Sequence, residues 1–329
     1  MGQRFLGVST AVVAALALTA AQLAGQSAAV PKAATARASK PYTPPRTADG
    51  QPDLSGYWNN ATYTPLERPA EFAGKEFWTP EEANAYEKQR VAAFNSQAAD
   101  DLHYDNVIWM TEPYPKGITG LRTSLITDPK DGRVPSLTGE GQRRAAERAA
   151  RRAGMNPADA IQNRGISERC ISWGNDTPPL IPAGYNANLQ ILQGANYVVV
   201  ITEMIHSVRI IPLDGRPHVG GGLQQLLGDS RGHWEGNTLV VDTTNFTDRT
   251  AFRGSAEKLH VVERFTRVSD DTIKYAFTVD DSTTWTRSWS AEYPMKKMDA
   301  PIFEYACHEG NYGIANILRG ARVEEERKN

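Results

Sequence analysis

From Ser167 onward, apolar and polar positions alternate with a period of two, the spacing of strands buried on one face. Ile273, Tyr275, Phe277 and Val279 fall on one face of a predicted strand, Thr272–Val279. Trp285, Trp289 and Tyr293 share a face of the next, Thr283–Tyr293. Further strands are predicted at Leu189–Leu192, Tyr197–Ile205, Ser207–Leu213, Gly232–Glu235, Thr238–Asn245, Leu259–Val268 and Ile302–Ala306. The run Tyr197–Ile205 is apolar on both faces and reads as a strand covered on both sides, or one lining a filled barrel. Gly236-Asn237, between His233-Trp234-Glu235 and Thr238-Leu239-Val240-Val241, is a two-residue hairpin loop. Asp214-Gly215, Asp270-Asp271 and Asp280-Asp281-Ser282 mark further turns.

The earlier half has a different texture. Asp53-Leu54-Ser55-Gly56-Tyr57-Trp58-Asn59 predicts a short first strand. Thr79-Pro80-Glu81-Glu82 is a helix start: a capping Thr, a Pro at the first helical position, and a Glu that completes a capping box. This helix should run to about Gln97, with a weak apolar face of Ala83, Val91 and Phe94. Asp100–Gly120 reads as an aromatic loop, and Leu121–Thr127 as a strand. A second helix is predicted at Thr138–Ala153, stopped by Gly154. It carries Arg143, Arg144, Arg148, Arg151 and Arg152 with Glu140 and Glu147, either a solvated face or a site for an anionic partner. Too few aromatics lie beside these arginines for base stacking.

Many strands with short connections predict a mainly β protein, α+β overall, built on an antiparallel meander. Such a meander hides its edges by closing into a barrel or stacking as a sandwich. A lipocalin-like barrel is expected; no internal repeat supports a propeller. Residues 53–165 would be the first strand plus a helical and irregular insertion packed on the barrel, and residues 166–329 the barrel with a short charged tail.

The 329 residues suffice for one large domain or two modest ones, and a formal net charge of -2 weighs against a nucleic-acid partner. Residues 1–29 read as a secretory signal peptide: Arg4, a short Ala/Val/Leu core, then small residues, with cleavage between Ala21 and Ala29. Residues 30–52, rich in Ala, Lys, Pro and Thr, read as a disordered linker. No later segment is long and apolar enough to span a bilayer, so the expected location is periplasmic or secreted. In that oxidising setting the two cysteines, Cys170 and Cys307, are predicted to form a disulfide.

Four runs, PDLSGYW, EMIHSVRIIPLDGRPH, GDSRGHWEGNTLVVDTTNF and EYACHEGNY, together resemble a widespread group of exported bacterial proteins. The resemblance covers most of the mature chain. It implies export and carries over no site residue. Separately, Ser55-Gly56-Tyr57-Trp58 ahead of a meander resembles the Gly-x-Trp opening of lipocalin-type barrels. The long insertion after it departs from a compact lipocalin.

Candidate chemistry centres on the histidines, because imidazole titrates near neutral pH and ligates metals. No His-x-His, His-Glu-x-x-His or Cys-x-x-Cys spacing is present, and no metal or cofactor is assigned. For acid–base catalysis the candidates are His206, His218, His233 and Glu263, where a carboxylate on an inward strand face must be paired or protonated. His308-Glu309, beside Cys307, is a second candidate pair or simply a stapled turn. Gly228-Asp229-Ser230-Arg231-Gly232 spells a nucleophile elbow, but a hairpin strand follows where a helix is needed. For ligand binding the candidates are Trp234, Tyr275, Trp285, Arg287 and Trp289, aromatics with one strand charge, equally readable as core.

Three functions fit these residues. The first is an exported barrel that binds a small, partly apolar molecule. The second is a secreted hydrolase, lyase or isomerase using His and carboxylate groups or a metal. The third is an envelope structural or interaction protein, which would show a broad exposed apolar patch.

Overall fold

The structure is a computed structural model describing residues 42–95, 118–248, 252–255 and 257–328. The expected signal peptide, most of the expected linker and the Tyr104–Tyr114 aromatic stretch lie outside the described residues.

The protein is mainly β, with one antiparallel sheet of ten strands. They are β1 (Gly56–Asn59), β2 (Ile126–Asp128), β3 (Asn188–Gly194), β4 (Tyr197–Thr202), β5 (Val208–Pro212), β6 (Asp229–Glu235), β7 (Thr238–Thr244), β8 (His260–Ser269), β9 (Thr272–Asp280) and β10 (Trp289–Met298). The order is β5-β4-β3-β1-β10-β9-β8-β7-β6, with β2 added on β10. Two meanders, β3 to β5 and β6 to β10, are thus joined through β1. The Gly-x-Trp strand lies inside the sheet, with Trp58 opposite Leu189 on one side and Lys297 on the other.

The period-two pattern decides what faces inward. Val261, Glu263, Phe265 and Arg267 of β8 are buried, as are Ile273, Tyr275, Phe277 and Val279 of β9, and Trp289, Ala291, Tyr293 and Met295 of β10. These side chains fill the concave face. Ring centroids lie 4.9 Å apart for Phe265 and Tyr275, 5.1 Å for Tyr275 and Tyr293, and 5.8 Å for Phe277 and Trp289. Arg267 lies over the Trp58 ring at 5.7 Å and donates to the Asp53 carbonyl at 2.8 Å, which fixes the first strand against β8.

The expected barrel closure is not found. The sheet ends at β5 and β6, which share no backbone ladder. The end strands meet through side chains instead. A Cβ built on Gly232 of β6 would lie 2.7 Å from Leu213 Cδ2 and 2.8 Å from Ile211 Cγ2. Gly232 therefore leaves the space that Ile211 and Leu213 fill, and apolar packing replaces the missing hydrogen bonds at this seam.

Three other expectations are corrected. Residues 42–52 are folded, not linker. Arg46 bridges to Pro52 and its guanidinium donates to Asn237 Oδ1 at 2.9 Å, while Tyr42 donates to Asp270 Oδ1 at 2.8 Å. These long-range polar contacts pin a stretch that has no regular secondary structure. The Thr283–Tyr293 strand starts only at Trp289, because Asp281 accepts from the backbone N–H of Thr283 at 2.9 Å and Thr284 at 3.2 Å and bends 281–284 into a turn. Ile302–Ala306 is irregular rather than a strand.

The described residues form three α-helices: α1 (Pro80–Asn95), α2 (Gly139–Ala153) and α3 (Tyr312–Glu326). The capping box of α1 is reciprocal: Thr79 N–H donates to Glu82 Oε2 at 2.8 Å, and Glu82 N–H to Thr79 Oγ1 at 3.3 Å. Thr138 caps α2 through the Gly141 N–H, and its hydroxyl donates to the Thr283 carbonyl at 2.6 Å. Gly141 sits so close to the Thr284 carbonyl that an added Cβ would be 2.6 Å from it. Arg144 reaches the Thr283 and Thr284 hydroxyls, so α2 is clamped to the turn before β10. The Cys170–Cys307 disulfide is formed, and no helix among the described residues is long and apolar enough to cross a membrane.

Candidate functional site

One stretch organises the end of the sheet where a cleft forms. Asp176 Oδ1 accepts from the Trp173 and Gly174 N–H groups and the Ser172 hydroxyl, each at 2.9 Å. Its Oδ2 accepts from the Ser207 hydroxyl at 2.8 Å, tying this loop to the β4–β5 turn. Four residues on, Leu180 is plugged into the core. Its N–H donates to the Tyr275 phenol oxygen at 2.9 Å, and its carbonyl accepts from Tyr293 at 2.6 Å. Burial, and then the Glu263 charge, hold the Tyr275 phenol well above its ordinary pKa, so it stays protonated and donates to Glu263 Oε1 at 2.8 Å.

Between this plugged loop, the Met204 turn and Phe252 lies a cleft of about 600 Å³. Trp173 is 43% exposed there, edge-to-face with Tyr185 at 6.3 Å between centroids. Phe252 lines the cleft and stacks on the buried Trp289 at 6.0 Å. Arg148, Arg253 and Asp248 supply charge, and Arg253 is paired with Glu67. Asn175 Oδ1 is buried with no hydrogen-bond partner among the described residues. An unpaired buried acceptor costs about 1–3 kcal/mol unless a bound water or ligand donates to it. The cleft thus combines aromatic walls with charged groups at its border, the general make-up of a small-molecule site.

The sequence-predicted residues fall elsewhere. Tyr275, Trp285 and Trp289 are fully buried core. Trp234 is half-buried and packs on the core from β6. Arg287 is an exposed partner of Asp128, at 2.6 Å. None of the five lines the cleft. Glu263 is wholly buried and binds both Arg209 nitrogens from β5. His206, in a turn where Ile205 and His206 both have positive φ, donates from Nδ1 to the Tyr305 carbonyl at 3.2 Å. His233 meets Glu235 on the exposed hairpin at 3.1 Å. His308 and Glu309 are exposed beside the disulfide. Ser230 lies in β6, buried, with its hydroxyl 3.0 Å from Thr243 Oγ1 rather than on an elbow.

His218 does join a cluster. Its Nδ1 lies 2.9 Å from Asp229 Oδ2 and its Nε2 2.9 Å from Asp242 Oδ1. Asp242 Oδ2 in turn receives His260 Nε2 at 2.8 Å, and Arg231 meets Asp229 at 2.7 Å. A neutral imidazole donates only once, so both His218 bonds form together when the ring is doubly protonated. Asp242 and Glu263 lie on opposite faces of the sheet, which separates this chain from the buried carboxylate. Among the described residues no group of three or more His, Cys, Asp or Glu is placed to hold a metal ion.

Sequence reasoning missed Trp173, Asn175 and Tyr185. Their signal was the run Ser172-Trp173-Gly174-Asn175-Asp176-Thr177-Pro178-Pro179, a Trp set among turn-forming residues with no periodicity. Such a run indicates an ordered, non-regular loop. No family model and no curated protein matches the chain.

Proposed function

We propose that the protein is exported to an oxidising compartment, periplasmic or extracellular, and binds a small, partly apolar molecule in the cleft under Trp173. The observation that carries this reading is the edge-to-face Trp173–Tyr185 pair in the cleft wall, with Trp173 exposed and Tyr185 half-buried. An aromatic wall favours a ligand with an apolar body. The disulfide supports the compartment, as does the resemblance of the four sequence runs to exported bacterial proteins. The ligand sits at the end of the curled sheet, not within it as in a lipocalin-type barrel, since aromatic side chains occupy the interior.

The test is a fluorescence titration of the mature protein with N-phenyl-1-naphthylamine, an uncharged apolar aromatic amine with one N–H donor. Saturable binding is expected in the wild type and its loss in Trp173→Ala, with unchanged thermal stability. No saturable binding, or equal binding by the variant, rejects the cleft as the site.

A second reading, acid–base catalysis, is favoured by the Asp229–His218–Asp242–His260 chain. It has weaker support, because none of these four residues lines the cleft.

A further inference from the structure

Next to the cleft, on the far side of Arg148, is a second groove of about 670 Å³ between α2 and Gly254. Arg148, Arg151 and Arg152 line it, and among the described residues no acidic one does. The other two arginines of the helix are neutralised within it, Arg143 by Glu147 at 2.8 Å and Arg144 by Glu140 at 2.7 Å. Arg148, Arg151 and Arg152 have no carboxylate partner among the described residues. Arg148 gives one N–H to the Gly254 carbonyl at 2.8 Å and lines both hollows. The helix dipole favours cations in the last turn and accounts for Arg151 and Arg152 as helix stabilisers. It does not account for a groove that they share with Arg148, nor for three uncompensated cations in a chain whose net charge is -2.

We infer that the cleft ligand is an amphipathic anion: its apolar part lies against Trp173 and Phe252, and a carboxylate, phosphate or sulfonate group is held by Arg148 with Arg151 and Arg152 behind it. This rests on the cleft reading above and names the class of ligand. The cleft supplies no such selectivity by itself, because Asp248 and the Glu67 partner of Arg253 offset its charge. The groove supplies it. Guanidinium suits the task because its planar fork matches oxyanions with two N–H donors.

Two probes separate the parts. 8-Anilino-1-naphthalenesulfonate and N-phenyl-1-naphthylamine share the aromatic frame and differ by the sulfonate. In low salt the sulfonate is expected to bind roughly tenfold more tightly, the scale of one charge-assisted contact. Arg148→Met should remove that preference, lowering the sulfonate's affinity far more than the amine's. Arg151→Ala/Arg152→Ala, on exposed positions that leave the Gly254 contact intact, should reduce it several-fold. Equal affinity of the two probes in the wild type overturns the inference, as does an unchanged preference in both variants. Failure of the amine to bind, with the sulfonate still bound through Arg148, instead rejects the apolar cleft and leaves the anion groove. Inorganic phosphate is the last arm: displacement of the sulfonate by millimolar phosphate, at matched ionic strength, would mean a free oxyanion site and overturn the amphipathic class.

Discussion

Arg209 of β5 and Glu263 of β8 form a two-point ion pair in the interior, with Arg209 Nη2 donating to Glu263 Oε1 at 3.0 Å and Nη1 donating to Oε2. The pair links an end strand to the opposite half of the sheet, and the Tyr275 hydroxyl completes it. Removing one partner strands a buried charge. Arg209→Met alone should cost about 3–5 kcal/mol, whereas a well-packed apolar double replacement, Arg209→Met/Glu263→Leu, should recover most of it. Urea unfolding of the single and double variants measures both. A single variant within about 1 kcal/mol of wild type would show that the pair is not dry.

The seam between β5 and β6 depends on the missing side chain at Gly232. Gly232→Val places two methyl groups where Ile211 and Leu213 now sit. Overpacking of this kind costs about 1–3 kcal/mol. The expected result is a lower urea midpoint, with amide exchange accelerated first in β5 and β6. Uniform acceleration across the sheet would mean that the seam is not a separate weak point.

The disulfide closes a long loop, its two cysteines 137 residues apart. Chain entropy alone assigns it about 5 kcal/mol. The strap it anchors has other fasteners: Phe303 N–H donates to Glu203 Oε2 at 3.0 Å, and Tyr305 accepts from His206. Cys170→Ala/Cys307→Ala should therefore lower the melting temperature while the strap stays docked, and limited proteolysis should cut it only after His206→Ala is added. Cleavage in the cysteine variant alone would give the disulfide sole charge of the strap.

The Asp242–His260 contact gives stability a pH dependence with a definite sign. The hydrogen bond to Asp242 raises the His260 pKa above 6.5 against the opposing effect of partial burial, with help from the Asp242 and Asp280 charges. Its contribution is full below pH 6.5 and is lost as pH rises through the folded value. The His260 bond likewise lowers Asp242 below 3.8, so that contribution is present above pH 3.8 and lost as pH falls through the lowered value. His218 and its partners Asp229 and Arg231 face the same carboxylate chain. The urea midpoint of the wild type should decline from pH 6.5 toward pH 8.5, and His260→Gln should flatten the decline. Superimposable profiles for the two proteins would contradict the assignment.

Much of the sheet was legible because its strands are local patterns. The alternation in β8 and β9, the Gly236-Asn237 loop and the Thr79 cap each depend on a few neighbouring residues. The place of β1 inside the sheet was not legible, since pairing with β3 and β10 is decided more than a hundred residues away. Nor was the open seam, because a glycine signals a close approach without naming what approaches. The aromatic candidates show the same limit. Tyr275, Trp285 and Trp289 carried the right periodicity for an inward face, but periodicity does not distinguish a filled interior from a hollow one. The cleft itself is built from an aperiodic loop held by Asp176, whose bonds are visible only once the chain is folded.

The central claim is that ligand meets the cleft and not the interior. The indole N–H signals of the tryptophans test it directly, by a titration of the mature protein with N-phenyl-1-naphthylamine followed in ¹H–¹⁵N spectra. The account predicts that the Trp173 signal moves saturably while those of Trp58 and Trp285, fully buried in the core, stay in place. Movement of Trp285 and Trp58 with Trp173 unchanged would place the ligand inside the sheet and contradict it.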